Sequence, residues 1–447
     1  MKKKSLLSIL CALMMVMLMA CSGGGKSTSG ENATDKEVIG GDEKGATELK
    51  FWTFAELHMD FFKDAVPRWN ELNPDKKIKL VAETFPFDQM HNNLLLALQS
   101  GKGAPDIVDI EVGRFPNYMQ GEPQFLPMNE LVEPEKESFI ESRLDLYSKD
   151  GKYYGMPTHV GATVMYYNKE IMDKAGVDID AIKTWDDYVE AGKKVAENTD
   201  AVMTNVQTGD IIQFQAMIAQ QGSDFTDEDG SITLDNEKNI ETLQFLSDMV
   251  NKHKIAEAMP GGDPHAEEFY AYMNEGKAAS VLMPLWYMGR FTDYMPDLKG
   301  KMVIRPMPAW EEGGGRSVGM GGTGTVVTNQ TKHPELAKEF LAFAKLSKEG
   351  NIKLWTVLGF DPPRWDVWED PAIREDNKFY QYFGNDIFDT LLSIKDEIPN
   401  INVNENYPDA VTEINTNTLN NVLRQNSQTP EEALKQAQKT VEANTGK

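Results

Sequence analysis

An α/β fold of two lobes is what this sequence predicts, on three observations. Strand-like and helical patterns alternate along the body from residue 48 onward. About 400 residues remain once an N-terminal leader and a polar segment are set aside, more than one hydrophobic core usually organises. The two cysteines, Cys11 and Cys21, both precede that body, so packing alone must hold it together.

The leader comes first. Lys2, Lys3 and Lys4 precede an apolar run from Leu6 to Ala20, which ends at Leu18-Met19-Ala20-Cys21. A basic start and an apolar segment too short to span a bilayer make residues 1–20 a secretory signal. Small residue followed by cysteine resembles a bacterial lipoprotein signal, so Cys21 is expected to be acylated, with palmitate among the chains, and to become the N-terminus. Residues 21–47 are rich in Gly, Ser, Thr, Asn and charge and offer little apolar surface, which predicts a flexible tether. A coil of that length reaches about 30 Å, enough to hold a globular body clear of a membrane.

The body opens with a strand-like run, Glu48 to Phe54, then a helical face carrying Phe62, Val66 and Trp69 that stops at Asn73-Pro74. Lys77 to Ala82 alternates as a strand; a helix with Asp88 as its N-cap ends at Gly101; Asp106 to Ile110 reads as a buried strand. This succession predicts a parallel sheet. Further on, Gly161 to Tyr167 is β-rich, and Thr184-Trp185-Asp186-Asp187 is a capping box for a helix to about Glu197. Asp229-Gly230 marks a turn, Asn236 to His253 a helix, and Ala278 to Met283 a strand. Thr325 to Thr328 is another strand, Pro334 opens a helix at N1, and Thr429-Pro430-Glu431-Glu432 starts the last one.

Composition narrows the ligand. The formal charge of −25 argues against nucleic acid, whose binding rests on phosphate neutralisation by Lys and Arg, and disfavours polyanions. No thiol nucleophile and no Cys-rich metal centre is available to the body; no cofactor and no metal is expected. Several motifs match in letters only. Gly315-Arg316-Ser317-Val318-Gly319 spells a hydrolase elbow, but glycines and a strand follow it where a helix is needed. Gly319 to Gly324 spells a dinucleotide fingerprint, again before a strand, so close backbone approach or a hinge is the better reading. Phe225 to Asn236 lacks the first and last ligands of a calcium loop, and His265-Ala266-Glu267 lacks the paired cysteines of a deaminase zinc site, reading instead as a surface helix start.

Aromatic residues are the more telling population. Phe51, Trp52 and Phe54, then Phe85 and Phe87, then Trp286 and Tyr287, then Trp365 and Trp368 sit in or just after strand-like segments beside polar groups. Aromatic faces with polar neighbours suit a sugar, which offers C–H faces and hydroxyl edges.

At Gly151 to Pro157, Tyr166 to Lys169, Lys183 to Asp187, Met273 to Ala279 and Pro334 to Leu341 the chain resembles the family 1 extracellular solute-binding proteins, the carbohydrate-capturing components of bacterial ABC importers. Thr158 to Met165, Leu285 to Phe291 and Gly359 to Trp368 are similar to the arabino-oligosaccharide-binding lipoproteins within that family. The resemblance implies a two-lobed periplasmic-binding-protein-like fold of type II with the ligand cleft between the lobes. By chain order, lobe 1 is expected at 48–157 plus 311–360 and lobe 2 at 158–310 plus 361–447. It implies a monomeric, non-enzymatic receptor, anchored on the extracellular face of the cell membrane, that hands an oligosaccharide to ABC permease subunits. Another oligosaccharide of xylo, galacto or malto type, or a surface-anchored glycoside hydrolase, stands as the alternative. The expected ligand-binding residues are Trp52, Glu56, Glu111, Arg114, His159, Trp286, Tyr287, Arg290, Thr323, Arg364 and Trp365. Trp286, Tyr287 and Trp365 would stack on sugar rings; Glu56, Glu111, Arg114, His159, Arg290 and Arg364 would fix hydroxyls. For Arg290 and Arg364 a salt bridge within a lobe is an equal reading in so acidic a chain.

Overall fold

The computed structural model describes residues 35–41 and 45–446. The signal segment, Cys21 and most of the expected tether lie outside these residues.

Thirteen strands are present among the described residues: β1 (Asp35–Ile39), β2 (Thr47–Thr53), β3 (Ile78–Thr84), β4 (Ile107–Glu111), β5 (Ser148–Lys149), β6 (Lys152–Tyr153), β7 (Gly155–Pro157), β8 (Thr163–Asn168), β9 (Thr204–Val206), β10 (Ala256–Ala258), β11 (Ser280–Pro284), β12 (Met302–Pro306) and β13 (Thr323–Val327). Six of them form the first lobe's sheet in the order β1-β3-β2-β4-β13-β7. β2, β3 and β4 run parallel, joined by the helices Leu57–Leu72 and Phe87–Gln99, as the strand–helix alternation predicts. β13 returns antiparallel between β4 and β7. Apolar side chains cover both faces: Phe51, Phe62, Val66, Leu80 and Phe340 on one, Leu94, Val108, Ile110, Phe115 and Val326 on the other. In the second lobe β11-β8-β12 is antiparallel and β9 pairs β10 in parallel. Two further cores, around Trp185, Phe214 and Leu243 and around Tyr166, Phe291 and Phe388, fill it.

The capping chemistry read from the sequence forms as expected. Thr184 and Asp187 make a reciprocal capping box on the helix Trp185–Asn198, and Thr429 and Glu432 make another on Pro430–Thr445. Asp88 differs: the helix starts two residues earlier, with Pro86 at the cap, and the Asp88 carboxylate pairs with Arg114 at 2.7 Å instead.

Three boundaries are corrected. Residues 35–39, expected within the tether, add an edge strand to the sheet: Val38 pairs with Val81, and Ile39, 4% exposed, buries against the helix face carrying Val66. Val38 stays half exposed, so the pairing with β3 and the burial of Ile39 are what order this short segment. Residues 311–317, expected in the first lobe, stay with the second: Arg316 pairs with Glu397, and Ser317 donates from Oγ to the Thr163 carbonyl at 2.9 Å. That buried hydroxyl is bonded to a backbone carbonyl and, among the described residues, to no His or carboxylate, which removes the elbow reading.

Two segments cross between the lobes, at Thr158–Ala162 and Val318–Gly322, and Phe360–Pro363 is laced to them; the chain stays with the first lobe past 361, where the second was expected to resume, since Arg364 bonds to Glu135 and the Leu346 carbonyl and Trp365 to the Glu137 carbonyl. Thr158 N–H donates to the Thr323 carbonyl, Met320 N–H to Gly161, Thr163 N–H to Val318 and Val160 N–H to Asp361, each at 2.9 Å. The fully buried Asp361 carboxylate accepts from Gly161 and Ala162 N–H at 3.1 and 2.7 Å. Arg143, 1% exposed, reaches into the same place and donates to the Gly321 carbonyl and Asn400 Oδ1. The glycine-rich run is explained here. Gly321 and Gly322 have φ of +67° and +152°, and Gly324 lies flat against the Tyr147 ring, where an added Cβ would come within 2.4 Å of Cδ1.

Because Tyr147 is fully buried and cannot swing away, Gly324→Ala is expected to lower unfolding free energy by about 1–3 kcal/mol in a denaturant melt. An unchanged midpoint would mean the ring has room to move.

Candidate functional site

The carboxyl ends of the first lobe's parallel strands make one lip of the cleft, where open α/β sheets place ligands. Phe54 follows β2, Phe87 opens the helix after β3, and Glu111 closes β4 ahead of a 3₁₀ turn holding Arg114. Phe54 packs edge-on to Phe87 at 5.2 Å, and the Arg114 guanidinium lies 5.4 Å from the Phe87 ring centre. Beneath them His91 donates from Nδ1 to the Phe87 carbonyl at 2.8 Å, while Glu111 N–H donates to Nε2 at 3.2 Å. That pairing fixes a neutral tautomer, and burial holds its pKa down at about 4.

Strand ends of the second lobe make the facing lip. Asp210 lies beyond β9 and accepts from Ile212 N–H at 3.0 Å; Asp263 lies beyond β10 and accepts from His265 N–H at 2.6 Å; Trp286 follows β11. The His265 and Trp286 rings stack 5.8 Å apart at 8°, and Trp286 donates its indole N–H to the Met320 carbonyl at 3.2 Å. This bond ties the lip to a crossing segment. Ligand atoms of Asp210, Asp263 and His265 lie within 4.8 Å of one another.

The lips feel each other's charge. Burial between the lobes, reinforced by Asp210 opposite, raises Glu111 to about 7 against the opposing pull of its own turn N–H groups and Arg114. Asp210 is likewise pushed up to about 7, by burial first and the neighbouring Asp263 carboxylate second. Both half-buried carboxyls therefore change charge near neutrality.

Of the residues expected from sequence, Glu111 and Arg114 lie on the first lip and Trp286 and Arg290 on the second, while Glu56 is exposed just past β2. Thr323 is buried opposite Glu111 in the β13–β4 register. Trp52 is half-buried beneath the lip, edge-on to Phe85 at 5.1 Å. Four expectations are corrected. Tyr287 has no exposed surface: its hydroxyl donates to the Pro264 carbonyl and its ring fills the second lobe's core, so it cannot stack on a ligand. Arg364, 5% exposed, is held by Glu135 at 2.7 Å and Asp366 at 2.8 Å, so the salt-bridge reading holds for it. Trp365 sits on the outer surface, bonded to the Glu137 carbonyl, and belongs to neither lip. His159 is buried in a crossing segment against Phe360 at 4.9 Å, with no partner on either ring nitrogen among the described residues, and burial drives its pKa well below the usual value.

Asp210, Asp263 and His265, which the structure brings to the second lip, were not among the expected residues, and Phe54 and Phe87 were named only among the aromatic population. Their signal was present: Gly209-Asp210 and Gly261-Gly262-Asp263 are turns directly after short strands, and both phenylalanines stand at strand ends.

Residues 55–350 match the family model for a bacterial extracellular solute-binding protein. The chain belongs to the bacterial extracellular solute-binding proteins. Within this family it is 66% identical, over 92% of its length and 93% of the relative's, to an arabinooligosaccharide-binding protein of Halalkalibacterium halodurans. It is 51% identical, over 96% and 97%, to an arabinooligosaccharide-binding protein of Bacillus subtilis. Among solved structures, a Listeria monocytogenes ABC substrate-binding protein in complex with cycloalternan superposes with a TM-score of 0.73 at 20% identity, over 90% of this chain and 99% of the other. The fold is thus the two-lobed type II arrangement of solute-binding proteins, with the cleft between the lobes.

The Asp210 shift has a stability consequence. Its folded-state pKa, about 7, lies above the ordinary carboxylate value, so the folded protein holds the extra proton and stability falls as pH rises from about 4 through 7. Asp210→Asn is expected to melt at the wild-type temperature at pH 4 and higher than wild type at pH 8, with Glu111 keeping its own share of the slope. Parallel melting curves across that range would place Asp210 in water.

Proposed function

We propose that this protein captures arabino-oligosaccharides outside the cell and delivers them to an ABC permease when its lobes close. The observation that carries the reading is the 66% identity across nine-tenths of both chains to an arabinooligosaccharide-binding protein. The lips support it chemically. Trp286, Phe54 and Phe87 offer apolar faces to sugar C–H surfaces, Glu111, Asp210 and Asp263 accept from hydroxyls, and Arg114 and Arg290 donate to them. A neutral ligand suits an acid-rich cleft in a chain of charge −25.

Export by the 1–20 signal, acylation at Cys21 and a lipid anchor complete the proposal, with the monomeric body serving as the receptor. Among the described residues no helix is long and apolar enough to cross a membrane. Cys21→Ala is expected to move the protein from the membrane fraction to the medium; retention on the membrane would remove the anchor.

Glycoside hydrolysis has one observation in its favour, two carboxyls with raised pKa facing each other across the cleft. One titration separates the readings. Residues 22–447 are titrated calorimetrically with arabino-, xylo-, galacto- and malto-oligosaccharides, and each sugar is recovered by chromatography. Saturable binding of the arabinose series, recovered intact, is expected; cleavage would make the protein an enzyme. Trp286→Ala is expected to weaken binding by about 2–3 kcal/mol, roughly 30- to 150-fold in Kd, with the fold retained.

A further inference from the structure

Beside the stacked pair on the second lip, the helix Met288–Tyr294 carries Arg290 and an exposed aromatic face. Trp286 stacks on His265, whose pKa burial lowers to about 4 with the Arg290 charge adding to the effect, while burial raises Tyr270 to about 12 against the opposing pull of the same Arg290. Tyr270 in turn stacks on Tyr294, ring centres 4.8 Å apart and planes within 2° of parallel. Arg290 and Tyr294 lie four residues apart on the helix Met288–Tyr294 and so share one of its faces.

Two features of this face are unspent by the fold. Tyr294 is 52% exposed, whereas its stacking partner Tyr270 is 7% exposed; one Tyr294 face is covered by Tyr270 and the rest of the ring is open to solvent. Arg290 is half-buried and makes no ion pair or hydrogen bond among the described residues, in a chain with 70 acidic residues against 45 basic ones. A guanidinium left without a carboxylate in such company has its donors available to something else. The Tyr270 stack also fixes the Tyr294 ring in advance, so a ligand laid on it has little side-chain entropy left to remove.

We infer that Tyr294, backed by Tyr270 and flanked by Arg290, is an outer subsite for a further sugar ring of a bound oligosaccharide. A ring held at Trp286 would be the inner one. A chain long enough to leave the cleft would lay a C–H face on Tyr294 and present hydroxyl or ring oxygens to Arg290. Short oligosaccharides would not reach. The receptor would thus discriminate by chain length at Tyr294, with composition read at Trp286. This inference rests on the proposed arabino-oligosaccharide function.

The test is a series of arabino-oligosaccharides of increasing length, titrated into the whole lipid-free body as wild type, Tyr294→Ala and Tyr294→Phe. Wild-type affinity is expected to rise with length. Tyr294→Ala should bind the shortest ligand as wild type does and the longest roughly 3- to 10-fold more weakly, and Tyr294→Phe should restore the gain because it keeps the stacking face. Equal affinity of wild type and Tyr294→Ala at every length, or the same loss at every length, would overturn the subsite. Absence of saturable binding to wild type would instead overturn the functional reading, and the subsite with it. Melting temperatures of both variants should match wild type, since the side chain is largely in water.

Discussion

The two lobes meet through a carboxylate with no ion-pair partner among the described residues. Asp361 is fully buried, and burial pushes it up to about 6, yet it accepts two backbone N–H groups from Gly161 and Ala162 while its own carbonyl accepts from Val160. A buried carboxyl left without those donors would carry its whole desolvation cost. The bonds therefore fix where one crossing segment runs, and the Met320–Gly161 and Thr163–Val318 bonds hand that position on to the next. Arg143 enters from the other side, donating to the Gly321 carbonyl, and glycine at 322 lets the main chain pass it, since an added Cβ there would come within 2.8 Å of Arg143 Nη2.

Both lips hang from this junction. Trp286 is bonded to the Met320 carbonyl, so its ring is placed by the crossing segment as well as by β11. On the opposite side β13 leaves the crossing at Thr323 directly beside Glu111 in the sheet register. Within a lip the residues are tied directly to one another. His91 illustrates this, linking the Phe87 carbonyl to the Glu111 N–H inside one lobe.

What the sequence disclosed followed from periodicity and end chemistry. Capping boxes at Thr184 and Thr429 and the strand–helix alternation through Glu111 are local, and local rules read them. The strand-end positions of Glu111, Arg114 and Trp286 were legible because a strand's carboxyl end is marked by the chain itself. Tyr287 and Arg364 were not, because a neighbour in sequence to a lip residue can point into the core: Tyr287 is one residue from Trp286 and wholly buried. The Glu135 that neutralises Arg364 lies 229 positions away, and no local pattern announces it. Asp210, Asp263 and His265 converge from two strand ends joined only by the fold, so His265 read as a helix start and no local pattern drew Asp210 and Asp263 together with it.

The charge pattern of the cleft bears on why a sugar would be required for closure. Glu111 and Asp210 face each other from different lobes, each already driven to about 7 by the protein around it, and bringing the lobes closer removes more water from both. An empty cleft of this kind would resist shutting. The carboxyls would either take up protons or repel, and among the described residues no hydrogen bond from the opposite lobe reaches either one. A ligand carrying several hydroxyl groups changes that balance, since each hydroxyl donates to a carboxylate without adding charge, and its ring covers the apolar faces of Trp286 and Phe87. The ligand then has what a closure signal demands, a larger interaction free energy with the closed state than with the open one. A purely apolar cleft would close on itself by excluding water, with or without cargo, and the closed form would carry no information. Buried carboxyls on both lips make the empty closed state costly and leave the loaded one favourable.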